Sequence, residues 1–180
     1  MKILTISGSL QAESSNAALL DAVADVARPG AEVVRSISTG DLPHFNPDLE
    51  ADGRSAPAAV DELRRQIGEA DAVLIATPEY AHSLPGALKD ALDWMVGSGS
   101  LYAKPVAIVA GSPREDGAAR GRAALEQTLR AQGAEIVVSR TIALSSQERA
   151  DGVVGESGRA ALAEAIDALA DAAAQHQPNW

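Results

Sequence analysis

The 180-residue sequence contains no cysteine. Disulfides, a thiolate nucleophile and cysteine-ligated zinc or iron–sulfur clusters are therefore excluded, and any redox chemistry must come from a bound cofactor. Basic residues are also short: 15 Lys and Arg face 25 Asp and Glu, a net charge of −10. That balance disfavours non-specific nucleic-acid binding, which depends on basic patches. It names no partner, because acidity mostly serves solubility. No apolar run approaches the roughly 20 residues a spanning helix needs, so no membrane association is expected. Met1-Lys2 leads into a strand-like run without signal-peptide architecture, and a cytoplasmic location is the expectation. The three histidines, His44, His82 and His176, lack metal-ligand spacing and read as surface or structural residues. What is plentiful is apolar residues, at 46%, enough for one domain with a real core. The expected domain covers 1–174, with 175–180 as a loose tail.

Residues 70–95 organise the pattern. The run at 70–76 is short, apolar and rich in Val, Leu and Ile, suiting a strand buried on both faces. Thr77-Pro78 ends it, since proline has no N–H for a ladder. A polar loop follows at 78–83, and a helix over 84–96 restarts at Pro85, with Leu84, Leu88, Leu92 and Met95 on one face. Ala87, Ala91 and Trp94 form a second apolar stripe, which predicts a partner surface. Elsewhere, strands are expected at 2–7, 32–37, 105–110 and 134–144, and helices at 16–27, 57–69, 118–132 and 158–174. The stretches 38–54 and 145–155 read as irregular, the first being functional or poorly ordered by its length.

Strands alternating with helices imply a parallel sheet, because parallel neighbours need crossover connections. Five strands fit an α/β three-layer sandwich of flavodoxin-like order 2-1-3-4-5 better than a six-stranded dinucleotide fold. In that order the loops at 8–15, 78–83 and 111–117 meet at one sheet edge, where such folds bind ligands. The first loop, GSLQAESSN, offers Ser9, Ser14, Ser15 and Asn16 as a helix begins, a possible anion site. The alternative is that Ser14 or Ser15 only caps that helix. With no Gly-Lys-Ser/Thr and no GxGxxG, neither a P-loop nor a standard dinucleotide fingerprint is present.

Taken together, the loops resemble the NADPH-dependent FMN reductase family. The pattern G-S-L-x-x-x-S-x-N stands at Gly8, Ser9, Leu10, Ser14 and Asn16. The family's P-E-Y-N-x-S-x-P-G-x-L-K-N-A-x-D-W is matched at Pro78, Glu79, Tyr80, Ser83, Pro85, Gly86, Leu88, Lys89, Ala91, Asp93 and Trp94. Gly111-Ser112-Pro113, followed by Gly117 and Arg120, is similar to its glycine-containing third segment. The resemblance implies that Ser9, Ser14, Ser15 and Asn16 hold an FMN phosphate, with Gln11 beside it where the family usually has Arg. It implies that Pro78, Glu79 and Tyr80 line the isoalloxazine ring, with Ala81 in place of the usual Asn, and that Gly111 and Ser112 flank it. Arg114-Glu115-Asp116 replaces a more Gly-rich stretch.

The implied activity passes hydride from NADPH or NADH through FMN to a free flavin, quinone, azo compound or metal oxyanion. No side chain is assigned as a catalytic acid or base, and no metal is expected. The resemblance also implies a homodimer or homotetramer packed through the 84–96 helix. Two other readings are a flavin-binding electron carrier and a flavin-less interaction module. Aromatics at 3% argue against the carrier, which needs a concentrated aromatic sandwich. Arg114 and Arg120 are candidates for the 2′-phosphate of NADPH, with ordinary surface charge the alternative. Asp90 and Asp93 read as solvated, and Lys89 with Asp93 as an i,i+4 pair.

Overall fold

The computed structural model describes residues 1–175, the side chain of Asp52 excepted. Five parallel strands, β1 (Lys2–Ser7), β2 (Glu32–Arg35), β3 (Ala72–Ala76), β4 (Pro105–Ser112) and β5 (Glu135–Ala143), lie in the order β2-β1-β3-β4-β5. This is the order the strand count predicts. All of β3 and most of β1 and β4 are buried, which is why their sequences run apolar without alternation. Among the described residues six helices surround the sheet: α1 (Ser15–Val26), α2 (Ala58–Glu69), α3 (Gly86–Val96), α4 (Ala119–Ala131), α5 (Ser146–Asp151) and α6 (Glu156–Gln175). Leu19, Leu20 and Val23 of α1 and Leu162, Ile166 and Leu169 of α6 pack on one face of the sheet. Val60, Leu63 and Ile67 of α2, Leu88 and Met95 of α3, and Leu125 and Leu129 of α4 pack on the other.

Several boundaries differ from the sequence expectation, each for a physical reason. Strand β4 continues through Gly111 and Ser112, because β5 is long enough to pair them with Ile142 and Ala143. Strand β2 stops at Arg35, and the N–H of Ile37 leaves the ladder for Gln66 Oε1 at 3.1 Å. The 145–155 stretch contains α5, closed by a reciprocal capping box between Ser145 and Glu148. Helix α6 takes in Gln175, expected in the tail; the rest of that tail, with His176, lies outside the described residues.

The ladder between β4 and β5 slips at Val106 and Ala107, which pair with Ile136 and Val138. Val137 is thus an extra residue, a bulge that resets the side-chain alternation. Ile136 packs toward α4, whereas Val137 and Val138 both pack toward α6.

The long stretch at 38–54 is an ordered strap with three short 3-10 turns, at Thr39–Asp41, Pro47–Leu49 and Ala51–Gly53. It lies across α3. Buried Trp94 donates its indole N–H to Pro43 O at 2.8 Å and meets Phe45 edge-on, with ring centroids 5.0 Å apart. Asp90, read from sequence as solvated, instead accepts the Phe45 N–H at 2.9 Å. Arg64 of α2 ties Glu50 of the strap to Trp94 O, the latter at 2.6 Å. The second apolar stripe of α3 is therefore covered at Trp94 by this chain's own strap, and Ala91 is buried as well.

Candidate functional site

At the carboxyl edge of the sheet, backbone and side-chain bonds gather the three loops. The Gly8 N–H donates to Ala76 O at 2.8 Å, and Thr77 N–H to Val109 O at 2.9 Å. Asn16, almost wholly buried, accepts the Gly111 N–H on its Oδ1 at 3.0 Å, crosslinking the first loop to the end of β4. Gly111 fits there because a Cβ would lie 2.9 Å from Ser15 Cβ. The resemblance implies Asn16 at the phosphate; in the fold its Oδ1 is committed to this crosslink.

The first loop is folded on its own hydroxyls. Ser7 Oγ donates to Ser9 O at 2.8 Å, and Ser9 Oγ accepts the Gln11 N–H at 3.2 Å. Gln11 itself is exposed and donates from Nε2 to Glu13 O at 3.3 Å. Ser14 is the N-cap of α1, accepting Ala17 N–H at 3.0 Å. Ser15 is the first residue of α1.

The second loop makes a two-residue hairpin. Tyr80 and Ser83 exchange N–H···O bonds of 3.0 Å in both directions, leaving Ala81 and His82 at the tip. Both tip residues are left-handed, with φ of 49° and 63°. Turns with two positive φ values favour Asn and Gly, so Ala81 and His82 hold local strain. Glu79 points its carboxylate at α4, whose own start, Ala118, has no side-chain cap. Its Oε2 accepts the Gly121 N–H at 2.9 Å, while His82 Nδ1 lies 3.2 Å from Oε1. The Gly121 N–H, with His82 assisting, holds the Glu79 carboxyl below the usual carboxylate range. Gly121 suits this approach, because a Cβ would lie 3.0 Å from Glu79 Cα, closer than ordinary packing.

In the third loop, Arg114 is tied to Asp116 by bonds of 2.8 and 3.0 Å rather than held out toward a ligand. Gly117 passes so close to Ser112 that a Cβ would fall 1.8 Å from its Oγ. Its carbonyl accepts the Thr141 hydroxyl at 2.6 Å. Loop and strand are thereby locked together at Ser112, which is buried.

The expected phosphate residues do not all open onto one hollow. Ser9 and Gln11 line a hollow of ≈ 190 Å³ together with Arg35, Ser38 and Thr39, which sequence reading passed over. The signal was weak: a strand end followed by Ser-Ile-Ser-Thr. Ser14 lines a separate depression shared with α5. A groove of ≈ 720 Å³ lies away from this edge, between α3 and α4. Lys89 and Asp93 form their expected pair at 2.7 Å. Among the described residues no group of three or more His, Asp or Glu side chains is placed to hold a metal. Nor is any helix among them long and apolar enough to cross a membrane.

Comparison with known proteins agrees with this geometry. An NAD(P)H-dependent FMN reductase of Pseudomonas aeruginosa is 40% identical over 131 residues, spanning 72% of this chain and 69% of that protein. A quinone reductase of Escherichia coli is 36% identical over 131 residues, with the same coverage of 72% and 69%. Among solved structures, FerB of Paracoccus denitrificans, a flavoenzyme NAD(P)H:(acceptor) oxidoreductase, superposes with a TM-score of 0.76 at 34% identity, over 97% of this chain and 98% of FerB. A flavodoxin from Bacillus cereus shares the fold at a TM-score of 0.63 and 16% identity, covering 95% and 98% of the two chains. The family model for NADPH-dependent FMN reductases matches residues 1–149, and the chain belongs to that family.

Proposed function

We propose that the protein is an FMN-dependent oxidoreductase that takes reducing equivalents from NADPH or NADH. It would deliver them to a small acceptor such as a free flavin, quinone, azo compound or metal oxyanion. The carrying observation is the convergence of three loops at one sheet edge, crosslinked through Asn16–Gly111 and Glu79–Gly121. No cysteine is available to do redox work, so a cofactor must.

The residues present fit FMN. Ser9 is 7% exposed and its hydroxyl only accepts, so its proton is free to donate to an anion. Ser14 likewise accepts from Ala17 and keeps its O–H. Gly8, Gly111 and Gly117 stand where a Cβ would collide with neighbouring atoms, which brings bare backbone close to the site. On this reading the phosphate lies with Ser9 and Gln11 in the hollow they share, while Ser14, Ser15 and Asn16 fix the loop at the start of α1. Pro78, Glu79, Tyr80 and Ala81 line one side of the ring and Gly111 and Ser112 the other. Bound FMN supplies the hydride acceptance and electron transfer that no side chain here provides. The chain's part is to fix the ring between the second and third loops and leave its edge open to varied acceptors. We place this activity in the cytoplasm, where reduced nicotinamide is available.

We further propose self-association through α3, at the groove it forms with α4. Val96 is 61% exposed there and Tyr102 75%. Light scattering should then give a multiple of 18.5 kDa, and a monomer mass at micromolar concentration would count against it.

The central test is FMN titration followed by NADPH oxidation with a quinone acceptor. Tight FMN binding with acceptor-dependent NADPH oxidation is the expected result. FMN binding without nicotinamide oxidation would make the protein an electron carrier instead. A chain that stays colourless with added FMN would end the proposal.

A further inference from the structure

A phosphomonoester carries a charge of about −1.5 to −2 near neutral pH. The first loop brings no cation to meet it; its one charged residue, Glu13, has the wrong sign. In a chain of net charge −10, a positive charge brought from elsewhere would strengthen the binding of such a group. We infer that Arg35, at the end of β2, supplies it, and that Arg35, Ser9, Ser38 and Gln11 form a phosphomonoester site in the hollow they share. On the flavin reading above, the occupant is the 5′-phosphate of FMN.

Four observations converge. At ≈ 190 Å³ the hollow is smaller than the roughly 300–1,000 Å³ that whole ligands occupy, so it suits a terminal group rather than a ring system. Among the described residues, Arg35 is the one charged residue lining it. Ser9 and Ser38 accept backbone N–H groups, from Gln11 at 3.2 Å and Gly40 at 3.1 Å, leaving both hydroxyl protons for an anion. Ser9 is nine-tenths buried, so its unspent donor points to a ligand rather than to bulk water.

Arg35 is also available. Its Nη2 donates to Asp21 Oδ1 at 2.7 Å, but the side chains are 44% and 74% exposed. Pairs of that kind contribute little. Its Nε and Nη1 make no hydrogen bond among the described residues, so these donors remain for an anion. Asp21 thus parks the guanidinium beside the hollow until an anion draws it over.

The test compares FMN with riboflavin, which lacks the phosphate, by quenching of flavin fluorescence on binding. Arg35→Ala should weaken FMN about tenfold or more while leaving riboflavin unchanged, as expected for losing a hydrogen bond to a charged group. Arg35→Lys should restore part of the loss. Asp21→Asn should tighten FMN about two- to threefold by freeing the guanidinium. Raising salt to about 1 M should narrow the FMN preference in the wild type and not in Arg35→Ala. An unchanged FMN-to-riboflavin ratio in Arg35→Ala overturns the inference while the flavin reading stands. So does a change confined to NADPH-versus-NADH discrimination, which would give the hollow to the 2′-phosphate on NADPH's adenosine ribose. A wild-type chain that binds neither flavin overturns the flavin reading and this site with it. Arg35 is exposed, so thermal melts of the variants should match the wild type and exclude misfolding as the cause.

Discussion

Removing the Glu79 carboxylate should loosen the second loop from α4 in a way that depends on pH. Helix α4 begins at Ala119 without a cap of its own, and Glu79 supplies an acceptor from another loop, 2.9 Å from the Gly121 N–H. Losing a cap costs about 0.5–2 kcal/mol, and a hydrogen bond to a charged group contributes about 1.5–3. The Glu79 side chain is only 21% exposed, so solvent screening removes little of this. Glu79→Ala should therefore cost about 2 kcal/mol, and Glu79→Gln, which keeps an acceptor and loses the charge, about 1. For a chain of this size the alanine variant should melt about 4–8 °C lower.

The sign of the pH effect follows from the depressed carboxyl. Stability from a lowered pKa is present above the unfolded value, about 4.3 for Glu, and is lost as pH falls through the folded value. The gap between wild type and Glu79→Gln should be full near neutral pH and close as the buffer is taken below about 4. Urea unfolding of both chains across that range measures it, and the subtraction isolates Glu79 from the other acidic residues. A gap that is absent at neutral pH, or that persists unchanged in acid, would refute the capping role.

Trp94→Phe should lose the 2.8 Å bond to Pro43 O and part of a fully buried side chain, costing about 2–4 kcal/mol. Limited proteolysis should then cut within 38–54, whereas cleavage at wild-type rates would show the strap is held otherwise. Ala81→Asn should stabilise the chain by about 0.5–1 kcal/mol in thermal melts, since Asn tolerates the left-handed φ of 49° better than Ala; a lower melting temperature would contradict the strain. Gly121→Ala should displace the second loop, because the new Cβ would meet Glu79 Cα at 3.0 Å. It should weaken riboflavin and FMN alike, unlike Arg35→Ala, and an effect on FMN alone would argue against it.

The sheet was legible because burial on both faces leaves a plain mark, an apolar run such as Ala-Val-Leu-Ile-Ala at 72–76. Helix α3 was legible from its period and from Pro85 at its start. The end of β4 was not, since Gly-Ser-Pro reads as a loop and only the length of β5 supplies its ladder partners. Helix α5 carries its signal, Ser-x-x-Glu at 145–148, but six polar residues offer no apolar period. The strap was opaque because its order comes from Asp90, Trp94 and Arg64, all distant in sequence. The loops of the site could be found by motif and topology. What Asn16, Glu79 and Arg35 do within it depends on distances no local pattern encodes.

The bulge at Val137 has a consequence for how the molecule behaves in a crowd. Strand β5 is the sheet's long free edge, nine residues and mostly half-exposed, the kind of border onto which a neighbouring chain can add a strand and begin a fibril. The extra residue breaks that border into two out-of-phase pieces, 135–136 and 138–143, so an incoming strand cannot stay in register along its length. Arg140 stands beside the longer piece with its charge and its contacts to α6. The opposite border, β2, is four residues long and too short to template much. Both rims of the sheet are thus poor seeds for aggregation, one by brevity and the other by a deliberate fault in its spacing.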